Sequence, residues 1–305
     1  MRRLVTVLIA GLVALGAVAE RGHAAGKIRV VASLPDLKAL TEAVGGDLVE
    51  VDVLARGDQN PHDIEIRPSL MVKLRRADLL IRNGVEGDPW VEPLLQGAGN
   101  GTLFRGQPGH VDASRGISVL GIPQGPVDRS RGDVHPEGNP HYTLDPANAS
   151  TVTATILEAL ARRAPEQRGT FEAQRREFLA RLDAALTRWQ AALAPSRGAQ
   201  VVTYHDTWVY FLHRFGLVSA GTVEDRPGIP PSPTHVAELI RTMKAHGVRA
   251  IVYEPWADRR LVERMAQDAG IRAVALAPAV GASKPATSYL DMFEFNVTAL
   301  AQALR

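Results

Sequence analysis

Gly198-Ala-Gln-Val-Val-Thr-Tyr-His-Asp-Thr-Trp-Val-Tyr-Phe-Leu-His-Arg-Phe-Gly-Leu217 is a short apolar run, then helical spacing, then a stopping glycine. The same pattern occurs earlier, in Ile28-Arg-Val-Val-Ala-Ser-Leu-Pro-Asp-Leu-Lys-Ala-Leu-Thr-Glu-Ala-Val-Gly45, with two valines and a closing glycine at matching places. A helix feeding a strand also recurs, in Leu74-Arg-Arg-Ala-Asp-Leu-Leu-Ile81 and in Met243-Lys-Ala-His-Gly-Val-Arg-Ala-Ile-Val-Tyr-Glu254. Strands alternating with helices predict an α/β fold with mainly parallel sheets, and the echo predicts two similar lobes. From Pro165 to about Ala194, Phe171, Phe178, Leu182, Leu186, Trp189 and Leu193 recur at spacings that set one apolar stripe along a helix. At 1.5 Å per residue that helix spans roughly 45 Å, so it either bridges the lobes or is an ordinary core helix. The expected organisation is a cleaved leader over 1–25, a first lobe over 26–164, a linking helix over 165–195 and a second lobe over 196–305.

The chain has 305 residues, 45% hydrophobic and 22% charged, enough to bury a core in one large or two medium domains. It contains no cysteine. That excludes disulfides, thiolate metal sites, iron–sulfur clusters, cysteine nucleophiles and a lipid-bearing lipobox, so any metal is held by nitrogen and oxygen. Arg2 and Arg3 precede an apolar run from Leu4 to Ala19, and small residues up to Ala25 suit a signal peptidase. The run is short for a spanning helix of about 20 apolar residues, so a cleaved signal and a periplasmic protein are expected, an uncleaved anchor being the alternative. Arg2, Arg3 and Arg21 against Glu20 account for the formal net charge of +2. The remainder is near neutral with its arginines scattered among acids, which argues against nucleic acid as a partner. A monomer is expected.

In open α/β sheets, ligands collect beyond the carboxyl ends of the strands. Three histidines fall there. His62 follows the strand ending near Leu54, His205 sits where the strand through Tyr204 yields to a helix, and His141 lies in Gly138-Asn-Pro-His-Tyr-Thr-Leu-Asp-Pro146, a loop that its prolines keep out of regular helix. His213 is eight residues along a helix from His205, about 12 Å away and too far to share an ion with it. His110 and His135, in the Gly- and Pro-rich stretch 97–138, read as solvated, with a supporting role for His135 left open by the turn leading into the central loop. Three imidazoles without cysteine suit a borderline divalent ion, zinc above all.

The words Asn60-Pro-His-Asp-Ile-Glu-Ile-Arg-Pro-Ser69, Asn139-Pro-His-Tyr-Thr-Leu-Asp-Pro146, Tyr204-His-Asp-Thr-Trp-Val-Tyr-Phe211 and Tyr289-Leu-Asp-Met-Phe-Glu-Phe-Asn-Val297 together resemble the zinc/manganese solute-binding proteins of ABC transporters, cluster A-I. The resemblance runs from about Lys27 to the C-terminus. It implies two lobes bridged by a rigid long helix, a metal site in the cleft between them, and delivery of the ion to a membrane permease driven by a partner ATPase. By position, His62, His141 and His205 match the family's first three ligands, and histidine at all three places looks like the zinc branch, manganese (Mn2+) suiting it less.

One departure matters: Pro278 stands where the family usually places an aspartate as fourth ligand, and Pro61 occupies the place from which other members draw a carboxylate. Glu254, at the end of a second-lobe strand, is the expected substitute, either as fourth ligand or as a group orienting an imidazole. Water is the other candidate. Asp206 reads as a helix N-cap or a ligand. The expected function is capture of Zn2+ for import, with no enzymatic activity. A zinc-dependent hydrolase using an open fourth position, and an adhesin or zinc buffer without a transporter, are the alternatives.

Overall fold

The computed structural model describes residues 26–125, 132 and 135–305, so the expected leader over 1–25 lies outside the described residues. Two four-stranded sheets carry the fold. The first is β1 (Ile28–Ala32), β2 (Val49–Val53), β3 (Leu79–Arg82) and β4 (His110–Asp112), in the order β2-β1-β3-β4. The second is β5 (Gln200–Thr203), β6 (Val218–Thr222), β7 (Ala250–Tyr253) and β8 (Arg272–Ala275), in the order β6-β5-β7-β8. Every pairing is parallel, and the two orders are the same pattern used twice. The strand order reverses between β1 and β3 and between β5 and β7, which opens a crevice beyond the strand ends in each lobe.

The central strands β1, β3, β5 and β7 are largely buried on both faces, and alternate side chains go to different cores. Ile28, Val30 and Ala32 of β1, with Leu79 and Ile81 of β3, face a large cluster, whereas Val31 and Leu80 face a smaller outer one. In the second sheet Val201, Ala250 and Val252 join the same large cluster, while Val202 and Ile251 face a third. Helices α2 (Pro68–Arg76) and α3 (Val91–Ala98) cover the outer face of the first sheet, and α7 (Pro233–Ala245) and α8 (Arg259–Ala269) that of the second. Between the sheets lie α1 (Pro35–Gly45), α4 (Ala149–Arg163), α5 (Arg168–Leu193), α6 (Val209–Phe215) and α9 (Tyr289–Ala303). The two lobes therefore share one continuous apolar core. Among the described residues no helix is long and apolar enough to cross a membrane.

The long helix is α5, with a 3-10 turn at each end, Pro165–Gln167 and Ala194–Ser196. Its buried stripe is Phe171, Phe178, Leu182, Ala185, Trp189 and Leu193. Leu186, expected in that stripe, is only partly buried: one residue past Ala185 it is turned about 100° around the axis. Within the stretch expected to be irregular, β4 adds a fourth strand to the first sheet, three residues being too short for a periodicity to show.

Trp189 is almost fully buried, stacks near Phe293 with ring centres 5.4 Å apart, and donates to Glu294 Oε2 at 2.9 Å. Trp189→Ala is therefore expected to lower stability by about 3–5 kcal/mol. The exposed Arg181→Ala on the same helix should stay within about 0.5 kcal/mol of the parent, the two compared by urea denaturation.

Candidate metal centre

Two of the three histidines are presented by the same local device. In Asn60-Pro61-His62 the Asn60 Oδ1 accepts from His62 N at 3.0 Å, and in Asn139-Pro140-His141 the Asn139 Oδ1 accepts from His141 N at 3.0 Å. An asparagine closing on the backbone two residues ahead is an Asx turn, and the proline between fixes its own φ. Trp90 Nε1 donates to Pro61 O at 2.8 Å, holding the first turn against α3.

The second turn is tied to both lobes. From the end of β3, Asn83 Nδ2 donates to Pro140 O at 3.0 Å, and Tyr142 Oη returns a bond to Asn83 O at 2.7 Å. From the other lobe, Tyr210 Oη donates to Asn139 O at 2.9 Å and Tyr289 Oη to Thr143 O at 2.6 Å. Arg214 holds both oxygens of Asp145 at 2.6 and 2.7 Å. His205 ends β5 with an extended backbone before a 3-10 turn, Asp206–Trp208, leads into α6. His205 is the N-cap residue of that turn, and no side chain caps it, so the Asp206 cap expected from the sequence is absent.

These elements bring His62, His141 and His205 together: one donor atom from each lies within 4.8 Å of the other two, the group of this kind among the described residues. His62 Nε2 and His141 Nε2 are 3.1 Å apart. A tetrahedral zinc ion with bonds of about 2.0–2.1 Å to ring nitrogens sets imidazole centres roughly 5.2 Å apart. The observed separations are 5.0, 5.4 and 5.8 Å. The three rings fit a shared ion of that size.

Burial, followed by the charges of neighbouring histidines, holds His62 and His141 well below the usual histidine range, so both are neutral nitrogen donors at pH 7. His205 is different. Burial alone lowers its pKa, but the hydrogen bond to Glu224 Oε2 at 2.9 Å, with the charges of Asp206, Glu254 and Glu224, raises it to about 9. Because Nδ1 is given to Glu224, Nε2 is the nitrogen left for an ion. It makes no hydrogen bond and lies 3.1 Å from Asp206 Oδ1.

Glu254 is buried at the end of β7, and it is not among the residues whose donor atoms cluster. Its Oε1 accepts from Trp208 Nε1 at 2.8 Å. Burial pushes its carboxyl up to about 7, against the opposing pull of His205, Thr207 and Trp208. Pro278 lines a cavity of about 30 Å3 together with Pro61, Pro140, His141 and Asp36, room for about one water. Two residues at the site were not among the ligands expected from the sequence, although a supporting role for His135 was left open. Glu224 follows β6, the strand-end position equivalent to those already used, and that placement was its available signal. His135, read as solvated, has its ring centre 5.0 Å from that of His62.

Among known proteins, residues 30–303 match the family model described as ZnuA, zinc-uptake complex component A periplasmic. The zinc-binding lipoprotein AdcA of Streptococcus pneumoniae is 25% identical over 307 aligned positions, covering 98% of this chain and 60% of AdcA, so the chain spans about 60% of that relative's length. The high-affinity zinc uptake system protein ZnuA of Paracoccus denitrificans is 26% identical over 310 aligned positions, covering 90% of this chain and 91% of its own. A crystal structure of ZnuA superposes with a TM-score of 0.77 at 24% identity, over 92% of this chain and all of that one.

With the His205 pKa raised to about 9 and those of His62 and His141 held well below the usual histidine range, a dication shared by the three rings would displace a proton from His205 at pH 7. Affinity is therefore expected to climb as pH rises toward about 9, by at most about tenfold per pH unit, and to level off beyond. Calorimetric zinc titrations in buffers of different ionisation enthalpy should report release of about one proton per ion at pH 7, falling toward none above pH 9.

Proposed function

The chain belongs to the periplasmic zinc-uptake component A family, and from that premise we propose that it is an extracytoplasmic solute-binding protein that captures Zn2+ and delivers it to the permease of an ABC transporter. The observation that carries this reading is the three-imidazole group of His62, His141 and His205. Neutral imidazoles are the donors that borderline zinc accepts readily, whereas manganese is better served by carboxylate oxygen. The relatives named above are described as zinc-binding or zinc-uptake proteins rather than as enzymes.

In this reading His62 and His141 come from the first lobe and His205 from the second, so an ion held by all three lies in the cleft between them. Glu224 receives the Nδ1 proton of His205 and keeps Nε2 directed at the ion, as carboxylates behind zinc-bound histidines commonly do. Glu254 stands behind the same imidazole, held by Trp208, and steadies its charge rather than coordinating. The leader over 1–25 sends the chain to the periplasm, where it works as a monomer. Its lobes, 26–164 and 196–305, are joined by the helix over 165–195. The partner ATPase acts through the permease and does not touch this chain.

Each of His62→Ala, His141→Ala and His205→Ala is expected to weaken zinc binding by at least about tenfold, with manganese the poorer ligand of the parent chain. Competitive titration against a fluorescent zinc chelator measures both. Unchanged affinity in all three variants would sink the assignment.

A further inference from the structure

Three nitrogens leave a tetrahedral ion one donor short, and the walls of the site supply few candidates. Pro61, Pro140 and Pro278 on one side bring no coordinating side-chain atom, and the carboxylate lining the same cavity, Asp36, accepts from Val280 N at 2.8 Å and lies outside the imidazole cluster. Glu254 gives Oε1 to Trp208 and, although its Oε2 makes no hydrogen bond, lies outside the cluster of donor atoms, while Glu224 is taken by His205 Nδ1 and by Gly228 N at 2.8 Å. Two further side chains with donor atoms adjoin the triad: Asp206, with Oδ1 3.1 Å from His205 Nε2, and His135.

We propose that His135 supplies the fourth nitrogen, so that the cargo ion is held by four imidazoles. The inference rests on the three-histidine reading above and extends it. Its geometric ground is the ring separation. His135 and His62 have ring centres 5.0 Å apart with planes tilted by 34°, the same spacing as His62 and His141 and close to the roughly 5.2 Å that a shared zinc ion imposes. His135 is not within the 4.8 Å group formed by the triad, so the proposal requires its partly buried side chain to turn about its χ bonds when an ion binds.

The backbone supports that reach. Gly138 N donates to His135 O at 3.0 Å, closing a turn through Pro136, and Asn139 N donates to Leu120 O at 2.8 Å. Gly138 has φ +108, and a Cβ there would run into Val119 Cγ1 and Leu120 O, so only glycine makes this turn. His135 is thereby tied to the loop that carries His141. Asp206 is the rival donor: it immediately follows His205, with Oδ1 3.1 Å from Nε2 and no hydrogen bond between them, and the test below separates it from His135.

A fourth nitrogen in place of an oxygen also biases the site toward zinc over manganese, which makes His135 a selectivity residue. The test is zinc K-edge X-ray absorption on the purified zinc-loaded chain, on His135→Gln and on Asp206→Asn, with zinc and manganese affinities of each. Four imidazoles in the parent, three in H135Q, a zinc affinity lowered about tenfold or more and a narrowed zinc/manganese ratio support the proposal. Three imidazoles plus an oxygen in the parent, unaltered by H135Q, overturn it while leaving the three-histidine reading intact, and loss of that oxygen in D206N assigns the position to Asp206. A parent chain that binds no zinc overturns both readings. Because the parent spectrum counts imidazoles without any substitution, a poorly folding variant does not remove the test.

Discussion

An irregular segment buried between two sheets must still find a partner for each backbone carbonyl, since none can be left to water. The segment from Asn139 to Pro146 meets that constraint from both sides of the molecule. Its carbonyls at Asn139, Pro140 and Thr143 are taken by Tyr210, Asn83 and Tyr289, and its Asp145 carboxylate by Arg214. Asn83 belongs to the first lobe, while Tyr210, Arg214 and Tyr289 belong to the second. The loop that holds His141 is thus the joint between the lobes, and the placement of His141 in the imidazole cluster follows from the polar satisfaction of that joint.

This accounts for the spacing of the four motifs in a way the motifs alone do not. Tyr210 and Tyr289 are conspicuous in their words, yet neither is part of the imidazole cluster. Each donates a hydroxyl to the central loop. The Asn-Pro-His repeats were readable because an Asx turn and a proline are local events, encoded within three residues. The parallel α/β architecture was readable for the same reason, apolar runs alternating with helical spacing. What escaped were contacts made only by tertiary folding. Glu224 reaches His205 from a neighbouring strand end, and His135 approaches His62 from a stretch without periodicity. Ala185 takes the buried place expected of Leu186 because a helix of 3.6 residues per turn decides the stripe by angle, and size does not enter.

The electrostatics divide the three clustered imidazoles unequally. Two imidazoles are kept neutral by burial and by one another, while the third sits among three carboxylates and holds its proton. Under the proposed function the first lobe's pair would coordinate as it stands, whereas the second lobe's histidine would first give up a proton, so the carboxylates around His205 would also set the pH at which it becomes available.

The apolar core shared by the two sheets bears on how cargo can leave. Ile28, Val30 and Ile81 of one lobe and Val201, Val252 and Phe293 of the other belong to a single dry cluster with Phe178 and Trp189 of α5. Swinging the lobes apart as rigid bodies would wet that cluster at about 25 cal/mol for every Å2 exposed, and the cost mounts quickly with the angle. Release by gaping is therefore the expensive route. The inexpensive one is to disturb a single wall, where a few side-chain rotations or a displaced turn unseat one nitrogen while the spine and both sheets stay put.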